Sequence, residues 1–285
     1  MKITNRLGLP QALVDAVSND PYSDGGKCDI SVTRLISPPR KVVLEKLHAK
    51  EITEDVSDKL FCLLGQAVHV ILERAEVEAI TEGRLSIVRQ GWVISGQFDK
   101  LSLTDGVLTD YKVTSTYAAK DGGRFEYECQ LNVLCGIIRE HGYQVKKLEV
   151  VAILRDWSKN IAARGGDYPR AQAMKIEIPM WSEERVEEFI DERIRLHQAA
   201  RVKLPECSHQ ERWSKPPQWA LIKEGRKTAV KIFDDETLAY ATLETVDNKH
   251  AIESRPGKNI RCDGYCPAAP FCDQHRRSQE QEVAA

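Results

Sequence analysis

Apolar residues recur at spacings of three and four through Leu60, Leu63, Leu64, Ala67, Val68, Ile71 and Leu72. This spacing predicts a helix with one buried face, inside a helical stretch running from about Pro39 to Thr81. Residues 87–114 then alternate in the manner of strands, with Thr104-Asp105-Gly106 as a hairpin turn. A second amphipathic helix is predicted from Glu126 to His141, ended by Gly142. Val145 to Leu154 reads as a buried strand and Met174 to Pro179 as another. Ser182 is the predicted N-cap of a charged helix with Glu183 and Glu184 in its first turn.

This order of helix, strands, helix, strand, strand, helix predicts an α/β core with a mixed central sheet flanked by helices. Residues 1–40 are rich in turn signals, among them Asn19-Asp20-Pro21, Asp24-Gly25-Gly26 and Pro38-Pro39, and are expected to cross the surface as a lead-in. After about residue 203 the composition shifts to Cys, Trp, Pro and Lys. The expected organisation is a core over residues 1–202 and a small cysteine-rich appendage over 203–285 packed on it.

Composition narrows the class. No apolar run approaches the roughly 20 residues of a membrane span, and residues 1–10 lack the apolar core of a secretion signal, so the expected location is the cytoplasm, with no membrane partner. A net charge of -2 argues against coating nucleic acid by bulk positive charge, which leaves local patches for any such contact. Eight cysteines without a secretion signal point to reduced thiols or metal ligands before a disulfide framework.

The sharpest chemistry lies on the hairpin. With Thr104 opposite Val107, Asp99 faces Lys112 and Leu101 faces Asp110, while Asp110 and Lys112 share a face by strand alternation. Two carboxylates in one polar cleft repel each other unless a divalent cation lies between them, and oxygen ligands favour Mg²⁺ or Mn²⁺. Lys112 would hold the attacking water or neutralise phosphate charge. A cross-strand salt bridge on a surface hairpin is the plainer alternative.

The run Gly96-Gln97-Phe98-Asp99, then Asp110-Tyr111-Lys112, then Gln130 on the following helix resembles the RecB-like branch of the PD-(D/E)XK nucleases. Gly65-Gln66-Ala67-Val68-His69 fits the same pattern, because these nucleases carry a metal-ligating histidine on a helix before the strands. The resemblance spans residues 30–154 and implies a restriction-endonuclease-like fold. It also implies a catalytic set of His69, Asp99, Asp110, Lys112 and Gln130, with metal held by His69, Asp99, Asp110 and the backbone carbonyl of Tyr111. Two positions depart from the family: Pro38 stands where iron-sulfur members place a cysteine, and Leu134 where the helix motif has a tyrosine.

Cys262, Cys266 and Cys272 stand within eleven residues with Gly and Pro between them, which is ligand spacing. A fourth ligand is needed from elsewhere for zinc or a four-iron cluster; Cys207 is the expected one, with Cys28 and His275 as alternatives. RecB-like nucleases with an iron-sulfur staple end in a comparable triplet, so the resemblance implies a [4Fe-4S] cluster ahead of Zn²⁺. Cys62, Cys129 and Cys135 read as packing residues on helical apolar faces.

Trp157, Lys159, Tyr168 and Arg170 interleave aromatic and basic side chains in a loop after a core strand, a composition suited to single-stranded nucleic acid. The expected activity is a metal-dependent DNA exonuclease acting on single-stranded or end-exposed DNA, in recombination, repair or phage DNA processing. The alternatives are a non-catalytic DNA-binding scaffold and a structure-specific endonuclease. The sequence has no helicase-like phosphate-binding motif, so unwinding would come from a helicase or recombination partner.

Overall fold

The computed structural model describes residues 2–19, 28–74, 78–119 and 125–284, with the side chains of 281–284 left aside. The Asp24-Gly25-Gly26 turn lies outside the described residues. The chain divides into two compact units, one of residues 1–39 and 53–203 and the other of residues 40–52 and 204–285.

The first part of the chain forms β1 (Lys2–Thr4), α1 (Gln11–Ser18), β2 (Ile30–Ser31), α2 (Val32–Leu35) and α3 (Pro39–Leu47). Nearly all of α3 belongs to the second unit. Then follow β3 (Thr53–Asp55), α4 (Val56–Glu73), β4 (Ala79–Arg89), β5 (Trp92–Ser102), β6 (Val107–Thr114), α5 (Thr116–Ala119) and α6 (Phe125–Glu140). The first unit closes with β7 (Lys147–Leu154), α7 (Lys159–Ala162), β8 (Ala173–Ile178) and α8 (Glu183–Ala200). The expected lead-in is therefore built into the fold: β1 pairs in parallel with β3, and β2 pairs in parallel with β5 through Ile30↔Ile94 and Ser31↔Ser95. The expected helical stretch to Thr81 ends at Glu73, and Thr81 lies in a strand.

The six-stranded sheet is mixed. β4 pairs antiparallel with β5 along its length, with a break at Glu82 and Asp99. The other edge of β5 is shared, with β2 at Ile94 and Ser95 and β6 at Lys100 and Leu101. β6 runs parallel to β7 over eight residues, and β8 closes the sheet antiparallel to β7. The fold class is α/β, a mixed central sheet flanked by helices.

Two turns set the registers. Gln90 and Gly91, at φ 47° and 75°, make the two-residue turn whose twist suits a hairpin, and β4 pairs with β5 directly across it. The second hairpin closes with a four-residue loop, residues 103–106, in which Gly106 at φ 72° donates its N–H to Ser102 O at 3.1 Å. That loop is two residues longer than the expected turn. Lys100 therefore opposes Thr109 and Leu101 opposes Leu108, so the predicted pairing of Asp99 with Lys112 is replaced by one that sets Asp99 toward Asp110.

The core of this unit is formed by α6, α8, α2 and the sheet, through residues such as Leu35, Phe98, Leu131, Ile137, Val150 and Ile194. Close packing needs glycine at position 96, where a Cβ would come within 2.5 Å of Leu134 Cδ2 and 2.9 Å of Val32 Cγ2. α4 differs from its prediction: only Val56 is fully buried, while Leu64 and Ile71 of the predicted inner face are exposed. Its start is well made, because Asp55 accepts the N–H of Ser57 at 3.1 Å as N-cap and the N–H of Arg6 at 2.9 Å, tying the chain start to the helix.

The second unit carries β9 (Ser214–Lys215), β10 (Gln218–Lys223), β11 (Lys231–Phe233), α9 (Glu236–Leu243), β12 (His250–Arg255), β13 (Lys258–Asn259), α10 (Ile260–Gly264) and α11 (Asp273–Ala284). β10 lies between β11 and β12, and α9 covers a small core of Leu221, Phe233 and Ala239. Among the described residues no helix is long and apolar enough to cross a membrane.

Candidate metal and active site

Beyond Lys100↔Thr109 the β5–β6 ladder stops, which frees backbone groups that a continued sheet would pair. The N–H of Tyr111 donates instead to Asp99 Oδ2 at 2.7 Å. Side chains alternate, so Gln97 and Asp99 project away from the packed side of Gly96. His69 of α4 meets them there, with Nδ1 3.5 Å from Asp99 Oδ1 and 3.3 Å from Glu82 Oε1.

Asp110 is 3% exposed. Its Oδ1 accepts from Lys112 Nζ at 2.9 Å and from Gln130 Nε2 of α6 at 3.1 Å. Its Oδ2 is buried without a hydrogen-bond partner. Gln130 and Lys112 thus hold one oxygen, and the other is a carboxylate oxygen, the donor type that Mg²⁺ and Mn²⁺ favour. Asp99 is pushed up to about 7, first by burial and then by the charge of Asp110, against the opposing pull of His69, Lys112 and the Tyr111 N–H. Burial alone would favour a neutral Lys112, but the charge and hydrogen bond of Asp110, with Asp99 behind them, outweigh it and hold the amine protonated.

His69, Asp99 and Gln130 line a groove of about 690 Å³ that also takes in Gln66, Glu82, Arg84 and Gln97, while Asp110 and Lys112 do not line it. Among the described residues, one group of metal-ligating side chains has all its ligand atoms within 4.8 Å of one another, and it consists of His69, Glu82 and Asp99. Glu82 escaped the sequence reading. The signal was the Gln90-Gly91 turn, because a tight hairpin there places Glu82 across from Asp99.

The four cysteines expected to bind a cluster all lie in the second unit. Cys262 sits on α10, Cys266 and Cys272 follow it, and Cys207 stands ahead of β9. Cys207 is fastened by two hydrogen bonds to the buried Gln274: its N–H donates to Oε1 at 2.8 Å and its carbonyl accepts from Nε2 at 2.9 Å. Burial, Glu211 and the charges of Cys272 and Cys262 push the Cys207 thiol up to about 12, and burial with Cys266 and Cys272 pushes Cys262 up to about 11. Among the described residues no three of these thiols bring their sulfur atoms within 4.8 Å of one another. Arg40, 4% exposed, donates its Nε–H to Cys272 Sγ at 3.3 Å. His275 Nδ1 is buried without a hydrogen-bond partner. Cys28 belongs to the first unit and lines its groove. Cys129 and Cys135 are buried, but Cys62 is exposed on the groove wall, which corrects its reading as a packing residue.

In the loop after β7, Trp157 is half-buried against the core and donates Nε1–H to Pro169 O at 2.7 Å. The Tyr168 hydroxyl accepts the N–H of Ser158 at 2.8 Å, and Lys159 and Arg170 are exposed. These residues are apart from the groove lining.

No family model and no curated protein matches the sequence. Among solved structures, SSO0001 aligns at TM-score 0.46 and 18% identity over 65% of this chain and 85% of its own. A Eubacterium rectale protein assigned to the exonucleases aligns at TM-score 0.31 and 14% identity, over 50% of this chain and 54% of its own. A phage related exonuclease from Haemophilus somnus 129PT aligns at TM-score 0.29 and 10% identity, over 66% of this chain and 78% of its own.

Proposed function

We propose that this chain is a metal-dependent deoxyribonuclease of the PD-(D/E)XK type, RecB-like branch, which hydrolyses phosphodiester bonds in single-stranded or end-exposed DNA. The observation that carries the reading is the buried Asp110. One oxygen is held by Lys112 and Gln130, the other has no partner, and Asp99 lies beside it at the parting of β5 and β6. His69, Asp99, Asp110 and the carbonyl of Tyr111 are the proposed ligands. A bound Mg²⁺ or Mn²⁺ supplies Lewis acidity and makes a water acidic enough to attack at neutral pH. Lys112, kept charged by Asp110, stabilises negative charge on the phosphate. Gln130 fixes the Asp110 carboxylate.

The residues after 203 serve in this reading as a metal-cluster module, with Cys207, Cys262, Cys266 and Cys272 as ligands to a [4Fe-4S] centre. The loop after β7 would meet DNA, with Lys159 and Arg170 on phosphates and the partly exposed rings of Trp157 and Tyr168 stacking on bases. Any unwinding belongs to a helicase or recombination partner, in recombination, repair or phage DNA processing in the cytoplasm.

The deciding experiment is digestion of end-labelled linear and closed circular DNA with Mn²⁺, beside an Asp110→Ala control. Release of label from linear DNA alone, absent in the control, is the expected result. Cutting of circles reassigns the chain as an endonuclease. Equal activity in Asp110→Ala overturns the site.

A further inference from the structure

In the second unit Trp213 stands directly ahead of β9 and Tyr265 directly after α10. The Arg261 guanidinium lies over the Trp213 ring, 4.2 Å from its centroid, and the Tyr265 ring meets Trp213 edge-on with centroids 5.4 Å apart. Beside them, Lys215 and Lys258 oppose each other across the short β9–β13 ribbon. We infer that this surface binds single-stranded DNA, with Tyr265 stacking on a base while Lys215, Lys258 and Arg261 take backbone phosphates. The surface belongs to the second unit alone, and its binding does not depend on whether the groove of the first unit cleaves.

The local backbone fixes these groups before any ligand arrives. Trp213 closes a tight turn, its N–H donating to Gln210 O at 3.1 Å, and it sits at φ 53°, a left-handed conformation that a bulky residue adopts at a cost. The Ser214 hydroxyl donates to Asn259 Oδ1 at 2.7 Å and the Arg261 N–H to Arg212 O at 3.0 Å, which tie the start of α10 to the residues around Trp213. Tyr265 comes four residues after Arg261, one turn further along the same side of the helix. Its ring is backed by Trp213 yet remains 62% exposed, as a stacking platform must be, and every base offers it a π face. An arginine laid flat on an indole keeps its planar fork of N–H donors in the geometry that suits a phosphate. Like charges set directly opposite on two strands cost stability, and Lys215 and Lys258 are both exposed, so a polyanion turns their repulsion into attraction. The acidic residues of the same stretch are Asp263 and Glu211, and the Glu211 carboxylate accepts the Ser208 N–H at 3.0 Å. Charge alone would serve any anionic partner; the exposed ring among the cations selects one that carries bases.

The test is fluorescence anisotropy of a labelled oligothymidylate with the full chain, as purified and without added divalent ion, so that no cleavage intervenes. Tyr265→Ala should weaken binding roughly five- to 100-fold, and Tyr265→Phe, which keeps the ring, should bind as wild type does. The double variant Lys215→Gln, Lys258→Gln should flatten the slope of log affinity against log salt by about 1.4, from two single-strand phosphate contacts at about 0.7 each. A duplex of the same length should respond to the lysine variant and not to Tyr265→Ala. Residues 157–170 are intact in every variant, so these losses report the second unit alone. The lysines are exposed, so their variant decides the case even where Tyr265→Ala lowers the thermal midpoint. Wild-type affinity and salt slope in the lysine variant overturn the inference, and so does a loss in Tyr265→Ala that is equal for single strand and duplex. Because no cleavage is read, failure here leaves the nuclease reading standing, and failure of that reading leaves this surface standing.

Discussion

Asp99 Oδ2 accepts the backbone N–H of Tyr111 at 2.7 Å, a side chain standing in for a ladder partner where β5 and β6 separate. The carboxylate therefore has two tasks, holding the parted strands and facing a cation. Asp99→Asn separates them, since an amide oxygen still accepts that N–H. Cleavage should fall by about 100-fold or more, as expected when a metal ligand is lost. Stability should be unchanged or raised, because the variant relieves a buried charge beside Asp110. Urea denaturation and initial rates with Mn²⁺ check both halves.

The raised pKa of Asp99 gives a pH dependence with a defined sign. The folded, metal-free chain keeps a proton that the unfolded chain loses above about pH 4, so its stability falls as pH rises from about 4 to about 7. Cation binding expels that proton. Mn²⁺ affinity should accordingly tighten by up to about tenfold per pH unit below about pH 7 and level off above it. A dissociation constant flat across this range would reject the assignment of Asp99 as a ligand.

Gly96→Ala should destabilise the first unit by about 1–3 kcal/mol, because its Cβ would press on Leu134 and Val32 in a packed core. Trimming Leu134 to Val in the same protein should recover part of that loss, a coupling that a double-mutant cycle in urea measures. Additive losses would show that the close approach is not the cause.

Anaerobically purified protein should be brown and carry about four irons per chain, with Cys207, Cys262, Cys266 and Cys272 as thiolate ligands. Cys266→Ala should bleach the colour and loosen the fold, with activity falling as a consequence. Gln274→Leu, which removes both hydrogen bonds to the backbone of Cys207, should make the iron easier to chelate. One zinc and no iron on elemental analysis would reject the cluster, and full iron in Cys207→Ala would move the fourth ligand to His275 or Cys28.

Trp157→Ala and Tyr168→Ala should each weaken single-strand binding by about 1–3 kcal/mol per stacked base while sparing turnover at saturation. Lys159→Ala and Arg170→Ala should each lower the salt dependence by about one phosphate contact. Filter binding at several salt concentrations reads all four, and unchanged affinity in both aromatic variants would leave the rings as loop anchors through Pro169 and Ser158.

Local chemistry determined much of this protein. Period and capping placed α6, β7, β8 and α8, with Ser182 accepting the N–H of Arg185 at the start of α8, because these signals act within one or two turns of chain. Tertiary structure decided the rest. The loop at residues 103–106 shifted the hairpin by two residues and brought Asp99 toward Asp110 instead of Lys112, a choice set by the backbone of Gly106 and invisible to alternation alone. The burial of α4 also depended on what the fold laid against it, so a stripe of leucines left Leu64 and Ile71 exposed. Glu82 joined His69 and Asp99 only because the β4–β5 hairpin, which the alternation of residues 87–114 did not delimit, sets it across from Asp99 while α4 brings His69 to the same place.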